Sequence, residues 1–439
     1  MADIHPFRAL RYDPQQVSPS QVVTQPYDKI TPALQDRYYA ASPYNLVRII
    51  LGRRQENDNP ANNVYSRAAA NFDDWRQQGI LRQDSLPSIY AYSQRFTLPN
   101  STTELERRGF IALGRIEDYS AGVIFRHEQT LAKPKADRLD LLRATRVHYE
   151  QLFLLYEDSG EIDTLLAPST APTIDVTDEY GVAHRIWQIS DSALITNVQE
   201  KMRDKKLVIA DGHHRYETAL TYRNECRAAE ANRSAGASVD ATQAPYEFVM
   251  MTFVNINNPG LLVLPTHRVV HTLSQFSVED FQSAARAFFE IEEIDPAFDG
   301  HRATTLLRER GRQGTALLAI TATRAFLLHS RKPTAAKFLA GLSERQQSLD
   351  VVQLHKILLE GVLQLSEESI RNQQNLSYVR EADEALDQVR KGKANIAFLM
   401  NPCPVQQVRD IAFAGEVMPQ KSTDFYPKLL SGLTAYALD

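Results

Sequence analysis

Cysteine is scarce: Cys226 and Cys403 are the only two in 439 residues. That excludes a multi-bridge disulfide framework and a four-cysteine zinc site, and two free thiols is the simpler expectation. An excess of positive charge is also missing. Lys plus Arg number 49 against 54 Asp plus Glu, a net charge of −5. This argues against nucleic acid as a partner, while leaving room for a local basic pocket. No apolar run approaches the roughly 18 residues of a membrane span. Met1 to Phe7 lacks the basic stretch and apolar run of a signal peptide. A cytoplasmic protein with no membrane partner is therefore expected. Three motifs are absent as well: the Gly-x-x-x-x-Gly-Lys-Ser/Thr loop, the Gly-x-Gly-x-x-Gly turn and the Gly-x-Ser-x-Gly elbow. Their absence counts against a Walker-type NTPase, a standard dinucleotide fold and an α/β-hydrolase.

What is present is an ordinary globular composition, 43% hydrophobic and 23% charged, with chain enough for two or three domains. Val64, Ala68, Phe72 and Trp75 recur at helical spacing, and Gly79 ends that helix. Ile89 to Leu98 and Gly109 to Ile116 read as strands joined by a polar loop over Pro99 to Glu106. Lys206 to Ala210 reads as a short strand, Asp211-Gly212 as a tight turn, and Tyr216 to Ala229 as a helix. Farther on, strands are expected at Leu261 to Leu264, Thr315 to Ile320, Ala325 to His329 and Asn395 to Met400, with a helix capped by Ser277. The class is mixed α/β in two domains, 1–257 and 258–439. The first carries a surface insertion over 227–245, and the tail of the second is expected to fold back toward the site.

The sharpest chemical signal is Val208 to Glu217, which contains Asp211-Gly212-His213-His214-Arg215. A strand running through glycine into a helix start points free N–H groups and a positive dipole end at one spot. Gly212 permits close approach, Arg215 can fork two phosphate oxygens, and His213 and His214 can donate hydrogen bonds or a proton. Asp211 could hold Mg²⁺ or orient a histidine. The plain alternative is a capped, solvated turn. A second cluster, His127-Glu128-Gln129-Thr130 with Lys133, Lys135 and Arg138, could pair a general base with phosphate-binding charge, or could be a solvated loop entering a helix. Asp28, in Gln25-Pro26-Tyr27-Asp28, is a candidate base or simply a capping residue. His267 and Arg268 stand at a strand end and could add to a pocket or cap the sheet. Lys421, Ser422 and Thr423, near the C-terminus, are suitable phosphate contacts or part of a pinned tail.

At these residues the chain resembles the bacterial domain-of-unknown-function 1015 family, almost end to end. The resemblance is carried by Ile4 to Tyr12, Gln25 to Asp28, Asn45-Leu46-Val47-Arg48 and His127-Glu128-x-Thr130. It continues through Ala210 to Arg215, Pro265-Thr266-His267-Arg268 and Lys421-Ser422-Thr423. Gln25 stands where the family usually has a first proline. A shorter likeness joins Asp211 to Arg215 with the phosphate-binding element of the ParB/sulfiredoxin superfamily, which includes free-serine kinases. Sulfiredoxins have a catalytic cysteine where this chain has His213, so their sulfinic-acid chemistry is not implied. Members of the family are often encoded beside serine-biosynthesis enzymes, an association rather than a mechanism.

The resemblance implies phosphoryl transfer to or from a small hydroxy amino acid such as serine or phosphoserine, with kinase and phosphatase directions both open. Gly212, His213, His214 and Arg215 would cradle phosphate. Glu128 or Asp28 would take a proton, and Lys133, Lys135 and Lys421 would neutralise charge. A nucleotide or pyrophosphate would be the donor, with Mg²⁺ at Asp211. Two alternatives use the same residues: a phosphometabolite-binding protein without catalysis, and a metal-dependent hydrolase built on His127, Glu128, His213 and His214.

Overall fold

Continuous apolar runs become central strands, and the clearest is Phe248–Asn255, buried along its whole length. The computed structural model describes residues 1–99, 101–128, 132–233, 241–330 and 337–439. It divides into two units, the first made of residues 1–126, 130–261 and 427–439, the second of 127–129 and 262–426.

In the first unit a sheet of nine strands, counted among the described residues, forms the frame. Its path runs Ile124–Phe125, Leu207–Asp211, Leu152–Tyr156, Phe248–Asn255, Glu104–Arg115, Ile89–Thr97, Ala183–Ile189 and Ile174–Thr177, with Ile4–His5 also pairing with Glu104–Arg115. Two pairings are parallel, Leu207–Asp211 with Ile124–Phe125 and Phe248–Asn255 with Leu152–Tyr156. Ile209, Leu154, Phe253 and Phe110 meet in one core with Val198 and Met202 of the helix Ser192–Met202 and Tyr216 of the helix His213–Arg233. A second core gathers Phe72 and Trp75 of the helix Val64–Gln77 with Tyr12, Ile49 and Tyr149. Asn63 caps that helix reciprocally with Ser66.

The second unit is built on an antiparallel six-stranded sheet, again among the described residues. Its order is Glu290–Ile294, Ala325–Ser330, Thr315–Ile320, Ile396–Met400, His267–Val270, Leu376–Val379. Leu262–Leu264 pairs separately with Asp424–Tyr426. Ser277 caps its helix as expected, accepting from the Asp280 amide. A helix begins as Asp350–Gln353 and then widens into a π-helix over Leu354–Val362.

Several expectations need correction. The loop over Pro99 to Glu106 is shorter, because the second strand already starts at Glu104. The polar end stays paired: Arg95 salt-bridges Glu104, and Ser93 donates to Glu106 at 2.5 Å. Asp211 belongs to the strand rather than the turn, and the following helix starts at His213, three residues before the apolar pattern begins. That helix also continues to Arg233, into the stretch read as an insertion; residues 234–240 of it lie outside the described set. Asp424–Tyr426 is a strand, and Leu429, Leu430, Leu433 and Leu438 are buried. Mixed α/β in two parts is the observed class. Among the described residues no helix is long and apolar enough to cross a membrane.

Candidate functional site

The end of the strand Leu207–Asp211 sets the site of the first unit. Gly212 follows at φ +94°, a backbone that side chains with a Cβ rarely adopt. A Cβ there would sit 2.9 Å from Leu152 Cδ2 and 3.2 Å from Arg215 Nε. Glycine is thus required both by the turn and by the guanidinium that folds back over it. Arg215 Nη2 donates to Asp211 Oδ2 at 2.9 Å, and Nη1 donates to the Gln151 carbonyl at 2.6 Å. Lys428 Nζ donates to the other carboxylate oxygen of Asp211 at 3.1 Å. One carboxylate therefore lies between two cations, whose side chains are only 12% and 10% exposed.

Charge settles the protonation of both groups. Burial pushes the Asp211 carboxyl up, but Lys428, Arg215 and Lys29 outweigh it and hold it well below the usual range. Burial pushes the Arg215 guanidinium down; Glu150, Asp211 and Asp28 more than reverse this, and its proton is held more firmly than in water. Asp28, next to Tyr27 in a short 3₁₀ turn, is thus within electrostatic reach of Arg215. Glu150 accepts from the Tyr27 amide at 3.0 Å and lies 3.8 Å from Arg138, whose guanidinium stacks on Tyr27 at 4.1 Å. Arg138, Glu150, Arg215 and Thr218 share a cavity of about 50 Å³, large enough for water.

His213 opens the helix and is buried, and His214 is half-buried beside it. Lys135 pairs with Glu217 at 2.8 Å, one turn farther along that helix. Lys133 lies in the helix Ala132–Thr145, its side chain outside the described set, as is Thr130.

The other candidates fall in the second unit. His127 Nε2 is 2.9 Å from the Thr423 hydroxyl, and the His127 carbonyl accepts from the Met418 amide at 2.8 Å. Glu128 accepts a short hydrogen bond from the Lys421 amide. Lys421 takes φ +58°, and the Ser422 hydroxyl turns back to the Pro419 carbonyl. Arg268 is fully buried. Its Nε donates to His355 Nε2 at 3.2 Å, its Nη2 to the Lys421 carbonyl at 3.0 Å, and its Nη1 to the Thr266 carbonyl, with Tyr378 against its face. Burial pushes Arg268 down to about 10. Burial, then Arg268, pushes His267 down to about 3, and its neutral Nδ1 accepts from the Met400 amide at 3.3 Å. These residues brace a turn of their own unit. Asp28, Arg138, Asp211, Gly212 and Arg215 form the compact set in the other.

A magnesium ion at Asp211 does not suit the residues present, since both carboxylate oxygens already face cations. Among the described residues no three His, Cys, Asp or Glu side chains are grouped to hold a metal. Sequence reasoning missed Lys428, Glu150 and Arg107. Lys428 lies five residues beyond Thr423, and a lysine in an aperiodic tail reads as solvated.

The fold and this strand–turn–helix site define a two-part α/β protein with a buried cationic cluster. The chain belongs to the family described as protein of unknown function (DUF1015), whose model matches residues 4–352. A search of curated proteins finds no match. Solved structures that share part of the arrangement include a conserved hypothetical protein from Pyrococcus furiosus. It is 14% identical, with 69% of this chain and 86% of that one covered and a TM-score of 0.34. A free serine kinase in complex with AMP is 13% identical, with 69% and 83% covered and a TM-score of 0.35. SbnI from Staphylococcus aureus, truncated at its C-terminus, is 10% identical, with 73% and 85% covered and a TM-score of 0.36.

Proposed function

We propose that the chain transfers a phosphoryl group to or from a small hydroxy amino acid such as serine, with a nucleotide or pyrophosphate as donor in the kinase direction. The observation that carries this reading is the half-buried carboxylate of Asp211 held between Arg215 and Lys428 at a positive-φ glycine that precedes a helix. Two largely desolvated cations beside the positive end of a helix favour a doubly charged oxyanion far more than the same groups in water do. The amino-acid half of the reading comes from the resemblance at Asp211 to Arg215.

In this reading the serine hydroxyl oxygen bonds to phosphorus as the bond to the donor's leaving oxygen breaks. The hydroxyl proton passes to a carboxylate or to water. Asp211, held ionised by two cations, is a poor base and instead orients Arg215. Asp28 is the proton acceptor, being the exposed carboxylate within reach of Arg215. His213 and His214 add donors from the helix start.

The test is incubation of the whole protein with serine plus ATP, ADP or pyrophosphate, and separately with phosphoserine, followed by ³¹P NMR. Phosphoserine formed in the first set or consumed in the second is expected, with loss of turnover in His213→Ala. No turnover in either direction overturns the reading. Thermal stabilisation by phosphoserine without turnover would favour a binding protein instead.

A further inference from the structure

The segment 427–431 crosses the first unit without joining its large sheet, and its backbone is held by side chains that the sheet buries. Arg107, on Glu104–Arg115, donates through Nη2 to the Pro427 carbonyl and through Nε to Gln94 Oε1 at 3.0 Å. Gln94, on Ile89–Thr97, donates to the Lys428 carbonyl at 2.8 Å. Both side chains are almost wholly buried. Gln151 donates to the Leu430 carbonyl at 3.5 Å, while its own carbonyl takes Arg215 at 2.6 Å. The Ser431 amide donates to the Thr24 carbonyl at 2.8 Å, and the Thr24 amide returns the bond at 3.0 Å.

All this fixes one side chain, Lys428, whose ammonium ends at Asp211 beside Arg215. A lysine–carboxylate pair this far removed from solvent gains little net stability, and an apolar pair of similar volume usually serves as well. So elaborate a cradle for a lysine backbone is poorly explained by stability alone.

We propose that Lys428 is a substrate-contacting residue that binds phosphate together with Arg215, and that Gln94 and Arg107 are positioning residues that fix the strap carrying it. The proposal rests on the phosphoryl-transfer reading and names the second cation of that site. In the free protein Asp211 neutralises the ammonium. When phosphate arrives, its oxygens take up the donors of Lys428 and Arg215, and Asp211 keeps the pair aligned.

Binding tests this separately from turnover. Pyrophosphate is titrated calorimetrically into the whole protein, its Lys428→Met and Lys428→Arg variants, Gln94→Ala, and the Gln94→Ala/Lys428→Met double variant. Thermal unfolding of each is recorded alongside. Lys428→Met keeps the stem and removes the charge, so it is expected to fold and to bind about ten- to a hundredfold more weakly. Lys428→Arg is expected to retain most of the affinity. Gln94→Ala is expected to weaken binding several-fold, with no further loss in the double variant beyond Lys428→Met alone, because Gln94 acts through Lys428. Parent protein that binds no pyrophosphate overturns the proposal, as does Lys428→Met protein that is folded and binds like the parent. Additive losses overturn the positioning role. Binding that behaves as expected without any serine or phosphoserine turnover leaves Lys428 in place and removes the reading of the reaction.

Discussion

Arg215 and Arg268 are two arginines drawn largely out of solvent, one in each unit, and their surroundings differ in kind. Arg215 is faced by carboxylates: Asp211 in contact, with Glu150 and Asp28 acting over longer range. The direct contacts of Arg268 are neutral, an imidazole nitrogen, backbone carbonyls, the Met400 sulfur and the Tyr378 ring, and the Glu128 carboxylate acts on it only over longer range. The first holds its proton more firmly than in water, and the second is pushed down to about 10 by burial. A guanidinium saturated by its own backbone is a brace, since its donors are committed to fixed acceptors. A guanidinium balanced by a carboxylate that also serves a lysine can exchange that partner for another anion. The contrast separates a structural cation from a binding one without reference to sequence motifs.

The largest effect is expected at the binding side of the contrast. Arg215→Ala should lower phosphoserine formation or hydrolysis by about 10²–10³-fold, the usual cost of removing one aimed donor from a desolvated site. The measurement is kcat/KM by ³¹P NMR or coupled phosphate release. A loss below about tenfold would place Arg215 with Arg268 among the braces.

Next comes the brace. Arg268→Met leaves the Lys421 and Thr266 carbonyls and His355 Nε2 without their buried donor. It should destabilise the second unit by about 1–3 kcal/mol. Hydrogen exchange should show the loss at His267–Val270 and Ile396–Met400 and little change at Leu207–Asp211. Equal loss in both places would erase the distinction between the two arginines.

Gly212→Ala sharpens the geometry that makes the first site. At φ +94°, with Leu152 Cδ2 and Arg215 Nε in the way of a Cβ, it should cost about 1–2 kcal/mol and weaken pyrophosphate binding by displacing Arg215. Wild-type affinity in a folded Gly212→Ala protein would show that Arg215 does not need its present position.

How much of this the sequence shows depends on the reach of the signal. The run Val208 to Arg215 is legible because strand, glycine and helix start are adjacent in the chain, and so is the all-buried strand Phe248–Asn255. Gln94 and Arg107 are not legible: each is a polar residue in a strand, and only their convergence with the distant Lys428 backbone gives them meaning. Glu128 and Lys421 stand out in the sequence because both are charged, but that the Glu128 carboxylate accepts from the Lys421 amide at a positive-φ turn is a contact across 293 positions that no local pattern carries. The strand His267–Val270 was read only as a strand end because a buried arginine breaks its apolar pattern. The π-helix at Leu354–Val362 has no signal distinguishing it from an ordinary apolar helix.

The last expected effect concerns acid, and it separates the two sites by the pH window in which each loses stability. His267 is pushed down to about 3, first by burial and then by Arg268. Unfolded chains protonate histidine near pH 6.5, so between about pH 6.5 and 3 the unfolded state holds the extra proton. The stability His267 contributes is complete above that window and drains as pH falls through it. Asp211 behaves otherwise. Its carboxyl is held well below the ordinary value of about 4, so its contribution is complete above roughly pH 5 and is lost only as pH falls below about 4. His148 and His184 in the first unit are also pushed down by burial, so the parent's own curve mixes several groups. The comparison is therefore made on differences from the parent. Urea unfolding of His267→Asn, whose side-chain oxygen can still accept from the Met400 amide, should show a gap to the parent that shifts between pH 6.5 and 4. The gap for Asp211→Asn should stay level over that range and shift only at lower pH. A His267→Asn gap that is level down to pH 4 would mean that the imidazole takes up its proton in the fold as readily as in the unfolded chain. The uncompensated charge assigned to Arg268 beside His267 would then be wrong.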